Sequence, residues 1–191
     1  MSLSLGNTTI GSLYLGSTKI GAAYLGNVKV YESGDPYNPL NLPPYTIRCK
    51  FSSGYTPDMG DSQTLVDASD NVWDITLNNT VWGSLFLGNT NIIEVLGANT
   101  TGVTDMSWTF YGCSSLTSVP LFDTSSCTNM SSMFRNCFLV QSGALALYQQ
   151  ASTQAITPQH NSYTFQNCGR DTISGAAELA QIPSSWGGTG A

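Results

Sequence analysis

The start of the chain repeats a short apolar pattern every ten residues. A Leu-Gly pair, a branched apolar residue and a tyrosine recur in register through the first thirty residues. Each unit predicts a short strand followed by a turn, but it has too few apolar residues to enclose a core. The segment must therefore be covered by sister chains or by a socket on a larger assembly. The residues expected at this anchor or oligomer interface are Leu5, Ile10, Leu13, Tyr14, Leu15, Ile20, Tyr24, Leu25, Val30 and Tyr31.

A second repeat, with a period of 24 residues, runs through the later part of the chain. The segment from Val103 to Cys113 returns as Cys127 to Cys137, with Met, Phe and Cys in the same places, and a weaker copy ends at Cys168 after a seven-residue insertion. Repeats of this kind stack as coils of a solenoid, in which equivalent residues form buried columns. The predicted repeat core is Met106, Phe110, Cys113, Leu116, Val119, Leu121, Met130, Phe134, Cys137, Phe165 and Cys168.

Two segments of the second repeat system favour helix over strand. Residues 143–151 are rich in Ala, Leu and Gln, and residues 175–181 form a second helical candidate that stops before Pro183. We expect both helices to cap the coils, because the last coil of a solenoid needs a cover. The sequence from Trp186 onward is expected to be a frayed tail.

These patterns divide the chain into four parts. The predicted fold is mainly β with a few short helices: a short-strand repeat anchor (1–33), a Pro-rich linker (34–46), a β cap (47–80) and a short leucine-rich-repeat solenoid with helical caps (81–191). Residues 45–51, which cross the boundary between linker and cap, and residues 71–77 within the cap alternate apolar and polar positions, which predicts two strands.

Composition and charge narrow the function classes. Hydrophobic residues make up 41% of the 191 residues, enough for a packed core, whereas charged residues make up only 9%. The net charge of -6 opposes binding to nucleic acid, and no apolar run reaches the length of a membrane span. Met1 to Ser4 lacks the basic start of a signal peptide, so we expect synthesis in a host cytoplasm followed by assembly into a particle.

The five cysteines, which are odd in number and contain no CxxC pair, do not indicate a zinc site or a complete disulfide framework. We expect them to be reduced and mostly buried, where cysteine packs as a small hydrophobe. The alternative is a ladder of disulfides between adjacent coils.

No residue pattern predicts a catalytic site, a metal site or a cofactor. His160 is expected to be an ordinary surface histidine, and the acids at 67, 70 and 74 lack the glycine and terminal glutamate of a calcium loop, so turn capping is favoured. Asp58 and Asp61 are interpreted as turn acids, although a paired-carboxylate glycosidase would use such residues. Trp108 and Tyr111 are expected to belong to the core beside Phe110; the alternative is that they stack on sugar rings or fill a partner's pockets.

Two segments of the chain resemble known families. The pattern from Val103 to Cys113 and on through 115–125 resembles the BspA-type leucine-rich repeats of bacterial surface proteins, over about residues 80–140. The first segment, with YLGSTKI at 14–20 and YLGNVKV at 24–30, resembles repeats near the N-termini of structural proteins of crAss-like and related gut phages. The first likeness implies an adhesive or interaction module, and the second implies a virion protein.

Together these features predict a non-enzymatic head or tail fibre on a phage virion, in the form of a homotrimer. The first 33 residues would join the capsid or tail proteins, and the coils would adhere to a host-surface glycan or protein. A bacterial cell-surface adhesin is the first alternative, and a glycan depolymerase is the second. Two clean copies of the 24-residue unit and the missing export signal disfavour the adhesin.

Overall fold

The computed structural model describes residues 37–154 and 160–190 in full, and the backbone alone of four short strands between residues 14 and 32. Strands β1 (Tyr14–Leu15) and β2 (Thr18–Lys19) pair antiparallel, as do β3 (Ala22–Leu25) and β4 (Val28–Glu32). The interface role of this segment stays a prediction. Leu5, Ile10, Leu13 and Ile20 lie outside the described residues, and the other six interface residues lie on these backbone-only strands.

A four-stranded antiparallel sheet follows. Its strands are β5 (Thr46–Phe51), β6 (Ser62–Asp67), β7 (Val72–Thr76) and β8 (Ile92–Ala98), in the order β6-β7-β5-β8. The strands predicted from alternation at 45–51 and 71–77 are confirmed as β5 and β7. Neither β6 nor β8 was predicted, and β8 carries the sheet across the boundary expected at residue 80.

The described end of the proline-rich segment packs on the sheet. The Asn38 side chain accepts the Leu42 backbone N–H at 2.8 Å, and the Leu42 carbonyl accepts the side-chain amide of Asn99 at 2.9 Å. Leu42 is buried, and the Leu40 side chain lies so close to Gly97 that a Cβ there would meet it at 2.9 Å. Leu40 and Leu42 of the predicted Pro-rich linker therefore pack against β8 and the residue that follows it.

Beyond the sheet, four segments of chain lie in parallel layers: layer 1 (82–88), layer 2 (106–112), layer 3 (130–136) and layer 4 (161–167). Alternate backbone N–H groups donate to the next layer, as from Phe86 to the Thr109 carbonyl at 2.8 Å and from Phe110 to the Met133 carbonyl at 2.9 Å. The intervening N–H groups donate three residues back within the layer, as from Tyr111 to the Trp108 carbonyl at 3.1 Å. Buried backbone is thus satisfied without long strands.

Other hydrogen bonds link the layers elsewhere around the chain. Thr117 donates to the Ile93 carbonyl at 2.9 Å, and Gln141 donates to the Thr117 carbonyl at 2.8 Å. Thr104 and Thr128 each donate to the carbonyl 24 residues earlier, both at 2.8 Å. These four hydrogen bonds therefore have the 24-residue spacing of the sequence repeat.

A column of aromatic rings runs through the middle of the molecule. Phe110 stacks on Phe86 at 5.2 Å and on Phe134 at 5.1 Å between ring centroids, with interplanar angles of 15° and 6°. Burial of each such ring contributes about 1.5–3 kcal/mol. Because the column also includes a ring of the sheet, the sheet and the layers share one core. In chain order the column is Phe51, Phe86, Phe110, Phe134, Phe165 and Trp186.

The two helices lie where the sequence predicts helix, at α1 (Ala144–Ala151) and α2 (Ile173–Leu179). No side chain of α1 caps its own N-terminus, and the Glu178 carboxylate of α2 accepts the N–H groups of Gly143 and Leu145 at 3.2 and 3.1 Å. This contact satisfies orphan donors and places a negative charge at the positive end of the helix. The two helices thereby support one another.

The expected frayed tail is ordered instead. Trp186 is 7% exposed, its ring stacks on Phe165 at 6.4 Å, and its carbonyl accepts the Phe165 N–H at 2.9 Å. Tyr148 of α1 meets the same indole edge-on at 5.5 Å. Trp186 therefore closes the end of the column, because an uncovered Phe165 would leave apolar surface in water.

Candidate ligand-binding face

The layers fix an unusual backbone conformation at two positions each. Two turns of each layer have a positive φ at their third residue, as type II turns do. Glycine or asparagine, which tolerate this conformation, occupy one position in every layer: Gly88, Gly112, Asn136 and Asn167. The other position is held by Ser84, Trp108, Ser132 and Tyr163.

Two of those positive-φ residues are large aromatics that disfavour the conformation. Trp108 has φ 59° and Tyr163 has φ 60°, and their side chains are 40% and 51% exposed. A bulky residue in this region is an outlier, and such strain is typical of functional sites. The layered backbone, not the preference of the side chain, therefore sets the position of these two exposed rings.

The rings belong to a continuous surface, which we call the aromatic face and define as Trp108, Tyr111, Arg135 and Tyr163. Trp108 lies 4.9 Å from Tyr111 between centroids. The guanidinium carbon of Arg135 lies 5.8 Å from the Tyr111 ring centroid and 5.1 Å from that of Tyr163. Cation–π contacts at such distances hold a guanidinium by about 0.5–1 kcal/mol at exposed sites.

Arg135 differs from the other cations of the described residues. Arg48 pairs with Asp74 at 2.6 Å, Lys50 with Asp70 at 2.8 Å and Arg170 with Asp171 at 3.2 Å. Within residues 37–154 and 160–190, Arg135 has no ion pair. Its Nε–H is also buried without a hydrogen-bond partner among those residues.

Amide groups border the aromatic face. The Asn136 side-chain amide donates to the Tyr111 hydroxyl at 3.5 Å and accepts from the Asn167 amide at 2.8 Å. The Oε1 atom of Gln166, which follows Arg135 in the same column, is buried without a partner in the described part of the chain. The face thus combines ring surfaces, one cation and several amides, a combination suited to binding a polar ligand with apolar faces.

The predicted core residues of the repeat are buried, with one exception. Leu121 is 39% exposed, and the neighbouring Phe122 is fully buried between Phe110 and Phe134, with centroid distances of 6.1 and 6.4 Å. The core assignment of Leu121 is therefore wrong, because the L-x-x-L-x-L spacing assumes a regular strand and this segment forms none. The other ten predicted core residues are at most 5% exposed.

The expectation for Trp108 is also wrong, since its indole is exposed, and Tyr111 is only partly buried. Both lie within two residues of Phe110, but in the stretch 106–113 only residues 106, 109, 110 and 113 are buried in the core. Arg135 and Tyr163 were missed. Carrying the 24-residue register from Tyr111 to Arg135, and from Trp108 through Ser132 to Tyr163, identifies them.

The cysteines are free and buried. Burial raises the pKa of the Cys113 thiol to about 12 and that of Cys127 to about 11, and it places the pKa of Cys49, Cys137 and Cys168 well above the ordinary value. The Cys113 and Cys137 thiols contact the carbonyls of Phe86 and Phe110 at 3.1 and 3.0 Å. These thiols are structural and unreactive in the folded protein.

The acids singled out by the sequence are spread over separate partners. Asp67 accepts the N–H and hydroxyl of Ser69 at 2.8 and 2.7 Å, which confirms turn capping there and lowers the pKa of its carboxyl. Asp70 and Asp74 instead form the ion pairs with Lys50 and Arg48, which the sequence did not predict. Within the described ranges, no group of three or more His, Cys, Asp or Glu side chains is placed to hold a metal ion.

Asp61, His160 and a cavity on the sheet are weaker candidates for a functional site. Asp61 accepts the Asn78 N–H at 2.7 Å, and His160 lies at the surface. A cavity of about 460 Å³ on the sheet is lined by Tyr55, Trp73 and the Lys50–Asp70 pair, whose charges neutralise one another. Among the residues that the structure describes, no helix is long and apolar enough to cross a membrane.

With this geometry established, comparison with known proteins adds no relative. No protein-family model matches the sequence, no curated protein is significantly similar to it, and no solved structure matches its fold.

Proposed function

We propose that this chain is a structural fibre protein of a bacteriophage virion and acts by adhesion. In this proposal, residues 1–33 join three copies of the chain and bind them to capsid or tail proteins. Residues 81–191 form a short leucine-rich-repeat solenoid of the BspA type, and its aromatic face binds a host-surface glycan or protein. The same face would serve a bacterial cell-surface adhesin, which is the alternative.

One observation carries the proposal: the layers repeat their interior but display a different, partly aromatic surface in each copy. Hydrogen bonds at a 24-residue spacing and the stacked phenylalanines support a solenoid. Exposed tryptophan, tyrosine and arginine are the residue types that dominate binding surfaces. Because Asp67, Asp70 and Asp74 of the sheet region are engaged in a turn and in ion pairs, adhesion is favoured over glycan hydrolysis.

The anchor carries the other half of the proposal. Its short antiparallel strand pairs are marginal in water unless a further surface covers them. Three copies can supply that surface to one another, and a symmetric fibre base is then available to a particle.

The test measures molar mass by light scattering for the full chain and for a chain that begins at residue 34. The full chain is expected at about three times the 20.3 kDa of one copy, and the shortened chain at the mass of one. In the full-length chain, Leu15→Asp with Leu25→Asp should also release monomers, whereas Ser17→Asp, which adds a charge at a polar position of the same repeat, should not.

Two results contradict this proposal. A full-length chain that is monomeric at all concentrations would contradict the proposal of a trimeric fibre. A shortened chain that remains trimeric assigns assembly to another part of the molecule. Immunogold labelling of purified phage particles with antibody to residues 81–191 then tests the virion location, and the gold should lie on head or tail fibres.

A further inference from the structure

We propose that the aromatic face binds an acidic saccharide, with a sugar ring stacked on Trp108 or Tyr163 and its carboxylate bound by Arg135. This inference rests on the proposed adhesive function and specifies the chemistry of its ligand.

The exposed aromatic rings favour a sugar as the ligand. The C–H faces of a sugar ring pack on the electron-rich faces of aromatic rings, while the sugar hydroxyls remain free for hydrogen bonds. Trp108 and Tyr163 expose 40% and 51% of their surface, and both are held at a backbone conformation that their side chains disfavour. They lie two layers apart on one face, so a saccharide of a few units can contact both.

The guanidinium of Arg135 favours a carboxylate on that sugar. Tyr111 and Tyr163 both contact Arg135, which orders a side chain that would otherwise lose much freedom on binding. Because the Nε–H of this guanidinium is buried, its two terminal NH2 groups form the edge that would bind a carboxylate through two parallel hydrogen bonds. In the described residues no acid of the protein already fills this role for Arg135.

The net charge of the chain favours a ligand with a single carboxylate over a densely charged polymer. The chain has a net charge of -6, so a densely charged polymer such as nucleic acid is repelled as a whole. A single carboxylate placed among neutral sugars pairs with the single cation of the face and brings little further charge. The Asn136 and Asn167 amides, which lie beside the tyrosines, supply donors and acceptors for the neighbouring hydroxyls.

The experiment titrates the full-length chain with two acidic oligosaccharides, followed by calorimetry and by ligand-observed NMR. The probes are sialyllactose and a hyaluronan disaccharide, which carry one carboxylate each. Each is compared with its carboxyl methyl ester, which removes the charge and leaves the sugars unchanged. At least one acid should bind about tenfold or more tightly than its ester, because a hydrogen-bonded charge contributes that much. Added salt should weaken this binding.

Two arginines make a matched pair of variants. Arg135→Gln should lower the affinity for the acid to that for the ester. Arg170→Gln changes the net charge equally and also removes an arginine stacked on a ring, that of Phe138 at 4.3 Å, but it should leave affinity unchanged. Trp108→Gly, which suits the positive φ, should weaken both acid and ester, and its thermal melt shows whether the chain still folds.

Each unfavourable outcome overturns the inference. Absence of binding by both acids at millimolar concentration, equal binding of acid and ester, or equal loss in Arg135→Gln and Arg170→Gln removes the acidic saccharide. A glutamate-containing peptide that binds as tightly as the sugar acids assigns the face to protein instead. The fibre proposal is tested separately by molar mass. A trimer that binds neither sugar would support the fibre and contradict the saccharide site. A monomer that binds one of the sugars would contradict the fibre and support the site.

Discussion

The inner and outer surfaces of the same four layers follow opposite rules. Inward, one position is phenylalanine in all four copies: Phe86, Phe110, Phe134 and Phe165. One residue further along, the outward column holds four different residue types: Leu87, Tyr111, Arg135 and Gln166. The backbone is the same in every layer, so the difference lies in what each side chain contacts.

Stacking explains the contrast. An inner ring packs against its own equivalents above and below, so a change of size in one layer leaves a gap or a clash in two others. An outer side chain is at least partly exposed and is packed less completely, so its type can differ from layer to layer. The residues that are the same in every layer therefore maintain the fold, and the residues that differ between layers are the candidates for a function. This is why the aromatic face is the candidate site.

The largest expected effect comes from breaking the inner column. Phe134→Ala removes a fully buried ring that stacks on both neighbours, and it should lower the free energy of unfolding by about 3–5 kcal/mol. Tyr163→Ala removes a ring of similar size from the outer surface and should cost about 1 kcal/mol or less. Urea denaturation of both variants measures the difference, and equal losses would contradict the comparison.

The buried thiols give the next effect, as a dependence of stability on pH. Cys113 and Cys127 ionise only near pH 12 and 11 in the folded chain, whereas unfolded thiols ionise near 9. Stability is therefore complete below the unfolded pKa and is lost as the pH rises toward the folded values. With all five thiols buried, raising the pH from 8 to 9 should lower the free energy of unfolding by about 2 kcal/mol.

Urea denaturation in a reducing buffer at the two pH values tests this expectation, and the native protein should resist thiol reagents at both. Equal stability at the two values, or rapid labelling of the folded chain, would show that the thiols are accessible.

The buried residues could be predicted from the sequence because the copies of the repeat can be aligned with one another. The Met, Phe and Cys columns and both helices follow from spacing and composition. The assignment failed at Leu121 and Trp186. At Leu121, alternation was assumed where the chain is irregular, and at Trp186 a glycine-rich context concealed a ring that only the end of the column could cover.

The sheet and the aromatic face were harder to predict. Strand β6 is an exposed edge with no apolar alternation, and β8 lies within the first repeat, where the 24-residue register masks its pairing with β5. Arg135 and Tyr163 come together only through stacking, and their types differ from those of their equivalents. A search for conserved columns passes over such residues, because they depart from the repeat.

A smaller effect tests the polar interior. The buried hydroxyl of Thr164 lies 2.6 and 2.9 Å from the carbonyls of Asn161 and Met130, so it ties layer 4 to layer 3. Thr164→Val keeps the shape and removes the donor, which should cost about 1–2 kcal/mol of unfolding free energy. Thr128→Val is the matched control: its hydroxyl also donates to a carbonyl, that of Thr104 at 3.1 Å, but at an exposed position where water can replace the lost bond, so it should cost less than about 0.5 kcal/mol. A control loss as large as that of Thr164→Val would show that burial of the hydrogen bond does not set the cost.

The smallest effect on stability is expected at the tryptophan of the aromatic face. Trp108→Gly gives up the contact with Tyr111, worth about 0.5–1.5 kcal/mol, but relieves the strain of a side chain at positive φ, worth about 1–2 kcal/mol. The free energy of unfolding should therefore stay within about 1 kcal/mol of the parent value. Trp82→Gly, the same substitution at a buried indole of layer 1, should cost more than about 3 kcal/mol. If Trp108→Gly proves as damaging as Trp82→Gly, the exposed ring supports the fold, and a ligand is no longer needed to explain why a tryptophan occupies that strained position.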